Sequence, residues 1–201
     1  LWKLYQDRFS VEILSPGGSS AGVIRESLGA QRLSYETEEV LLYYGMPSPY
    51  SQAQEIYLDL IPKGTYIQDG IWKIRLIPEE IRDGQYDLWL PAGMALNRET
   101  RFLAASPDTT LTSPSTASRA ISVGAYDDAT QAYADFSGRG FTRLRHLIKP
   151  ELAAPGVNII TARAGGGYEA VTGTSFATPF VTGSAALMMQ WGIVNGNDPY
   201  L

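Results

Sequence analysis

The residues best suited to chemistry lie in one short segment, 173–179, with the sequence Gly-Thr-Ser-Phe-Ala-Thr-Pro. Gly173 allows the chain to turn sharply and leaves room for a substrate backbone. Ser175 would then stand at the start of a helix, where free N–H groups and the helix dipole stabilise developing negative charge. Pro179 is expected near the first turn, where a missing N–H costs little. This pattern favours Ser175 as a nucleophile, with Gly173 and Thr174 near the substrate and its oxyanion.

The same serine has an ordinary alternative role. Serine is a common N-cap of helices in any protein, and a Ser-x-Ala triplet alone would favour that role. The strands and helices predicted around residues 173–179 therefore help to decide between a nucleophile and an N-cap.

Residues 1–106 are predicted to form an all-β unit, a sandwich or jelly roll. Short runs in which apolar and polar residues alternate recur between turn-forming residues, as expected for strands with one buried face. The Asp83-Gly84 pair predicts a hairpin turn before the last strand. The predicted strands are 11–14, 40–44, 56–60, 71–76 and 86–90.

Residues 107–201 are predicted to form an α/β unit with a parallel sheet and helices. The runs 120–125 and 157–160 are typical of buried strands. The run 175–191 predicts a helix whose interior is almost wholly uncharged, so we expect it to be buried on most sides.

A longer pattern resembles the nucleophile region of the subtilases, serine proteases in which the serine of Gly-Thr-Ser-x-Ala-Thr-Pro attacks a peptide carbonyl. The matching segments follow one another in the family's order over residues 109–197. They are 113–115 (Ser-Pro-Ser), 121–125 (Ile-Ser-Val-Gly-Ala), 136–140 (Phe-Ser-Gly-Arg-Gly), 149–159 (Lys-Pro-Glu-Leu-Ala-Ala-Pro-Gly-Val-Asn-Ile), 173–179 and 181–186 (Val-Thr-Gly-Ser-Ala-Ala). The resemblance implies that residues 107–201 are the C-terminal part of a subtilase catalytic domain.

The first half resembles the jelly-roll insert of the Csp-type clostridial subtilases, through Trp72, 89–91 (Trp-Leu-Pro) and 101–103 (Arg-Phe-Leu). Members of that subgroup process spore cortex hydrolases at germination. The resemblance implies a protein or peptide substrate and no cofactor. It also suggests a spore-associated, secreted or cell-surface location in a Gram-positive bacterium.

The chain departs from the family at the serine's partners, because a subtilase uses Asp, His and Ser in that chain order. The single histidine, His146, lacks the Gly-Thr that follows the family's catalytic histidine, and we interpret it as a surface or loop residue. None of the aspartates precedes Ser/Thr-Gly, and those at 108, 127, 128 and 135 suit loops and turns. Asn97 lies outside the Ala-Gly-Asn context of the family's oxyanion asparagine.

Two explanations fit this departure. Both chain ends are interpreted as cuts, so the missing Asp and His would lie upstream of Leu1 in a longer parent, with or without a prodomain. The alternative is a degenerate protease that acts as a scaffold or binding module. The intact nucleophile segment favours the first explanation, and in either case the chain alone is expected to be inactive.

Composition excludes several classes of partner. The formal net charge is -5 and the 16 basic residues are scattered, which argues against nucleic acid. No apolar run is long enough to span a membrane. Without cysteine there are no disulfides or thiolate metal sites, and no carboxylate cluster has calcium-loop spacing, so no metal is predicted. A subtilase core without its upstream strands would expose apolar surface, so self-association is expected.

Aromatic residues in the first half raise a second class of function, because jelly rolls often bind glycans on stacking platforms. We favour the interpretation that these rings fill the core, since Trp72 and Trp89 are in phase with aliphatic neighbours. Two or more rings exposed on one face would favour the glycan. The candidates are Trp72, Trp89, Tyr43, Tyr44, Tyr57 and Tyr66.

Overall fold

A computed structural model describes residues 1–91, 96–97, 99–143 and 147–197. The chain divides into two units, Leu1–Arg101 and Phe102–Leu201.

The first unit is built from two antiparallel sheets. The eight strands are β1 (Trp2–Leu4), β2 (Arg8–Leu14), β3 (Ser20–Ile24), β4 (Gly29–Ser34), β5 (Glu38–Tyr44), β6 (Ala53–Pro62), β7 (Lys73–Glu80) and β8 (Tyr86–Asp87). One sheet has the order β4-β5-β6-β1-β8 and the other the order β3-β2-β7. The all-β character predicted from alternation is therefore present, while the jelly-roll assignment stays a prediction.

The core of this unit joins residues from both sheets. Alternate residues of β2, β5 and β6 turn inward, since successive side chains in a strand point to opposite faces. Tyr35 also packs edge-on against Trp72, with ring centroids 5.7 Å apart. Each fully buried aliphatic side chain contributes about 1.5–3 kcal/mol. The fully buried apolar side chains are Val11, Val40, Leu42, Tyr44 and Ile56.

The predicted hairpin at Asp83-Gly84 is wrong. β7 pairs with β2, whereas β8 pairs with β1 in the other sheet. The Asp7 carboxylate accepts hydrogen bonds from the backbone N–H groups of Arg82, Asp83 and Gly84, at 2.7, 2.9 and 2.9 Å. These long-range bonds hold a turn that carries the chain from one sheet to the other. Such bonds leave no local sequence pattern.

The aromatic residues divide between core and surface. Tyr44 is buried and Trp72 packs against the core, which confirms the core interpretation for these two rings. That interpretation is wrong for Tyr43, Tyr57 and Tyr66, whose exposed fractions are 37%, 50% and 84%.

The second unit contains a small mixed sheet and one long helix. Its strands are β9 (Val123–Asp127), β10 (Ala132–Tyr133), β11 (Leu152–Pro155), β12 (Ile159–Ala162) and β13 (Tyr168–Val171). β11 pairs in parallel with β9, β10 pairs antiparallel with β9, and β12 with β13 form a hairpin. The helix α1 (Thr174–Met189) follows and continues into a π-helical turn, Gln190–Val194. Among the described strands only β9 and β11 are parallel, so a larger parallel sheet stays a prediction.

The expectation that the helix is buried on most sides is wrong for this chain. Ala177 is the buried residue of α1, while Leu187, Met188 and Trp191 are 67%, 64% and 58% exposed. The predicted buried strand 157–160 also differs, because Ile160 is 68% exposed. An uncharged sequence shows which surface can be buried, but it does not show which neighbours are present to bury it. Within the described residues, no helix has the length and apolar character needed to cross a membrane.

Candidate active site

Ser175 is the second residue of α1, immediately after the turn that follows β13. Its side chain is exposed. The hydroxyl is therefore presented at a junction of strand, turn and helix, as expected for a nucleophile at a helix N-terminus.

Gly173 makes this junction sterically possible. Its φ of 155° and ψ of 158° lie in a region that is essentially open to glycine alone. Its N–H donates to the carbonyl of Gly156 at 2.8 Å. A Cβ on Gly156 would stand 2.6 Å from the Cβ of Ala125 and 3.1 Å from the carbonyl oxygen of Gly173. Two glycines thus let the start of the helix approach the end of β11 and the middle of β9.

The start of α1 keeps hydrogen-bond donors available. Gly173 has no side chain to act as a cap. The N–H groups of Thr174 and Ser175 find no acceptor within the part of the chain that the structure describes. Free N–H groups at the positive end of a helix dipole are suited to stabilise an oxyanion.

Pro179 lies deeper in the helix than predicted. It is the sixth residue of α1, just past the first turn near which it was expected, so its missing N–H removes a helix hydrogen bond. Because proline has no N–H, it cannot donate to the carbonyl of Ser175. One residue earlier, the Thr178 hydroxyl donates a hydrogen bond to the carbonyl of Thr174 at 3.0 Å. A side chain therefore adds a hydrogen bond to the backbone in the first turn of α1.

Among the described residues, no base is hydrogen-bonded to Ser175. Its hydroxyl makes no hydrogen bond to any other described residue. His146 lies outside the described residues. Asn97 uses its side-chain oxygen to accept from Glu99 N–H at 3.1 Å and Thr100 N–H at 2.8 Å, so it caps a turn. No group of three acidic, histidine or cysteine side chains suited to a metal occurs within the described ranges.

A pocket of about 390 Å³ lies next to the nucleophile segment. It combines a cationic and an anionic side chain, hydroxyl groups and an exposed aromatic ring, so it could hold part of a peptide. Arg139 also lies 5.3 Å from the centre of the Tyr133 ring, which restrains its position. The residues that line the pocket include Ser115, Val123, Asp135, Phe136, Ser137, Arg139 and Thr174.

Sequence reasoning missed a charged pair at the start of β11. The buried Lys149 ammonium contacts the Glu151 carboxylate and the Ala120 carbonyl. Glu151 also accepts the Ser122 N–H at 2.8 Å. The hydrogen bond from Lys149 is the main cause that lowers the pKa of the Glu151 carboxyl. The two opposite charges that flank Pro150 were the available signal for this pair.

Sequence comparison assigns the second unit to a family. The profile described as the subtilase family matches residues 97–195. This segment belongs to the subtilase family. It resembles the serine protease AprX of Bacillus subtilis (strain 168), with 39% identity over 105 residues that cover 42% of this chain and 24% of the relative. A PII-type proteinase of Lactococcus lactis subsp. cremoris is 44% identical over 52 residues, or 26% of this chain and 3% of the relative.

The structural comparison extends the likeness to both units. The CspB protease of Clostridium perfringens has a TM-score of 0.86 and 36% identity, and the match covers 100% of this chain. It covers 42% of that protease chain. The chain therefore spans less than half the length of these relatives, and its all-β unit also has a counterpart in the CspB protease.

Proposed function

We propose that this chain supplies the nucleophile-bearing part of a subtilisin-like serine endopeptidase, which hydrolyses peptide bonds in protein or peptide substrates. The observation that carries the proposal is the exposed Ser175 hydroxyl at the second position of α1, directly after the glycine-only turn at Gly173. The proposal is further supported by the serine protease relatives.

In this mechanism the Ser175 Oγ attacks the scissile carbonyl and forms a tetrahedral intermediate. The negative charge that develops on the substrate oxygen is stabilised by N–H groups at the start of α1, which are free for this purpose. Gly173, lacking a side chain, leaves the substrate backbone room to approach beside Thr174.

The serine needs a histidine to take its proton and an aspartate to orient that histidine. We propose that both belong to a part of the parent protease outside Leu1–Leu201, and that this chain is inactive alone. The Ser175 hydroxyl supports this proposal, because no described side chain is hydrogen-bonded to it as a base would be.

A fluorophosphonate probe tests the proposal, because it labels a serine only when a base activates it. We expect no labelling of the 201-residue chain and clear labelling of a longer parent that contains it. Ser175→Ala should abolish labelling of the parent. Ser184→Ala is the matched control, because the Ser184 hydroxyl donates a hydrogen bond to the Phe180 carbonyl at 2.8 Å. The parent that carries this substitution should still be labelled.

Two results would contradict the proposal in different ways. Labelling of Ser175 in the 201-residue chain would require a base within the chain. A folded parent that stays unlabelled would instead be a degenerate protease, with a scaffold or binding role.

A further inference from the structure

Two tyrosines stand side by side on the outer face of the five-stranded sheet. Tyr43 of β5 is directly opposite Tyr57 of β6 in the antiparallel register. Their neighbours Leu42, Tyr44 and Ile56 point into the core, so the two tyrosines point away from it. Directly opposed residues have Cβ atoms about 4.5–5.5 Å apart, so the two tyrosines are neighbours on this face.

Two carboxylates flank this aromatic pair. Glu55 and Asp59 lie two residues before and after Tyr57 on β6 and therefore share its face. Within the described part of the chain, neither carboxylate has a hydrogen-bond or ion-pair partner. We call Tyr43, Tyr57, Glu55 and Asp59 the tyrosine face.

The nearby cation does not neutralise these charges. Arg32 of β4 lies opposite Leu41 on the same face, but it is paired with Glu39 at 2.6 Å. The described cation–π contacts of the chain involve Phe9 and Tyr133, so the rings of the tyrosine face hold no internal cation among the described residues.

We propose that the tyrosine face binds a basic peptide segment, with Lys or Arg side chains over the rings and their charges beside Glu55 and Asp59. The face of an aromatic ring attracts a cation through its quadrupole, and the two negative carboxylates attract the same cation. The exposure of both rings on one face meets the condition stated above for a glycan surface, but a neutral glycan would bring no charge to balance the two carboxylates. The charges therefore favour the basic peptide. This inference goes beyond the proposed peptide-bond hydrolysis and does not depend on Ser175.

Fluorescence anisotropy with labelled octalysine and the whole 201-residue chain tests the proposal. We expect octalysine to bind more tightly than a neutral Gly/Ser octapeptide, and added salt to weaken it. Tyr57→Leu and Asp59→Asn should each weaken binding about two- to fivefold. Tyr57→Phe keeps an aromatic ring and should keep the affinity.

Matched controls separate the tyrosine face from general attraction to an acidic protein. Tyr66→Leu removes a tyrosine that is 84% exposed and lies outside the strands, and Asp69→Asn removes one exposed charge there. Neither should change octalysine binding. An equal loss in Asp69→Asn, or no difference between octalysine and the neutral peptide, would overturn the proposal. Binding of a neutral hexasaccharide that depends on Tyr57 and not on salt, without octalysine binding, would instead identify a glycan surface.

Discussion

Buried charged side chains tie together segments that strand pairing alone does not hold. Lys149 and Glu151 join the chain before β9 to the start of β11, and both strands contact α1. Asp7 plays the same part in the first unit, where it fixes the turn at residues 82–84. Such groups stabilise a fold while their partners remain, and removing one partner leaves a polar atom buried and unsatisfied.

Lys149→Met tests the charged pair in the second unit. The variant keeps most of the apolar stem but removes the donor to the Ala120 carbonyl and to Oε1 of Glu151, while the Ser122 N–H still donates to Oε2. We expect the unfolding free energy of this unit to fall by about 1–3 kcal/mol, measured by native-state hydrogen exchange of the β9 amides. Lys73→Met, on the exposed edge of β7, is the control and should change stability little. Equal effects of the two substitutions would argue against the pair.

Asp7 makes the first unit sensitive to acid. Burial alone would raise the pKa of its carboxyl, but the three backbone N–H donors and the nearby Lys3 hold that pKa below the ordinary value. The unfolded chain therefore takes up the proton first as pH falls, so the stabilisation is present above about pH 4 and is lost below it. Urea unfolding from pH 6 to pH 3 should show this loss, and the Asp7→Asn variant should show a shallower dependence on pH. An unchanged slope would mean that other carboxyls control acid unfolding.

At the scale of elements, the position of α1 depends on how closely it approaches the β9–β11 pair. Ala125 of β9, Ala154 of β11 and Ala177 of α1 form a small core with Ala134. Small side chains and the bare Gly156 permit this approach. The same contact sets the position of Ser175, because Gly156 also accepts the hydrogen bond from Gly173.

Replacing two glycines by alanine should have opposite effects on stability. Gly156→Ala would place a Cβ 2.6 Å from that of Ala125, and we expect a loss of about 1–3 kcal/mol through overpacking. Gly183→Ala lies within α1 with nothing within 4 Å of its added Cβ, so it should stabilise the helix by about 0.5–1 kcal/mol. Thermal unfolding followed by circular dichroism at helix wavelengths compares the two. A melting temperature that moves the same way in both variants would contradict this account of the junction.

Local patterns predicted the elements well where the cause was local. Alternation located β2, β5 and β6, and the glycine-serine segment predicted a helix that in the structure begins at Thr174. Local sequence patterns could not predict that the chain crosses to the other sheet after β7. The turn there is held by Asp7, which lies 75 residues away in the sequence. The partners of Lys149 were missed for the same reason, since Ala120 is 29 residues away.

Burial was harder to predict than secondary structure. The same alternation that placed Tyr44 in the core puts Tyr43 and Tyr57 on the opposite face, where aromatic residues were not expected. An uncharged helix sequence predicts burial, although burial depends on neighbours that a single segment cannot show. For the candidate site, sequence supplied Ser175 and its turn but not the surroundings of its hydroxyl.

For the whole molecule, the main feature is apolar surface along α1 and its extension. Phe180, Leu187, Trp191 and Val194 are each 47% or more exposed. A monomer rarely leaves such an apolar surface uncovered, so this surface favours association between copies of the chain.

Sedimentation velocity should therefore detect concentration-dependent association of the 201-residue chain. The double substitution Leu187→Glu and Trp191→Glu should shift the chain towards monomer, because it places charges on the apolar surface. Ile160→Glu on the β12–β13 hairpin is the control, since Ile160 is just as exposed but lies on another element, and it should leave association unchanged. A strictly monomeric wild-type chain at all concentrations would contradict this prediction.

The tip of the β12–β13 hairpin has a practical consequence. Gly165, Gly166 and Gly167 all have positive φ values, are exposed, and have open space around each Cβ position. The ladder between Ile159–Ala162 and Tyr168–Val171 is complete without them. A short epitope or a fluorophore could therefore be attached at this tip while leaving intact the strands that lead to Ser175.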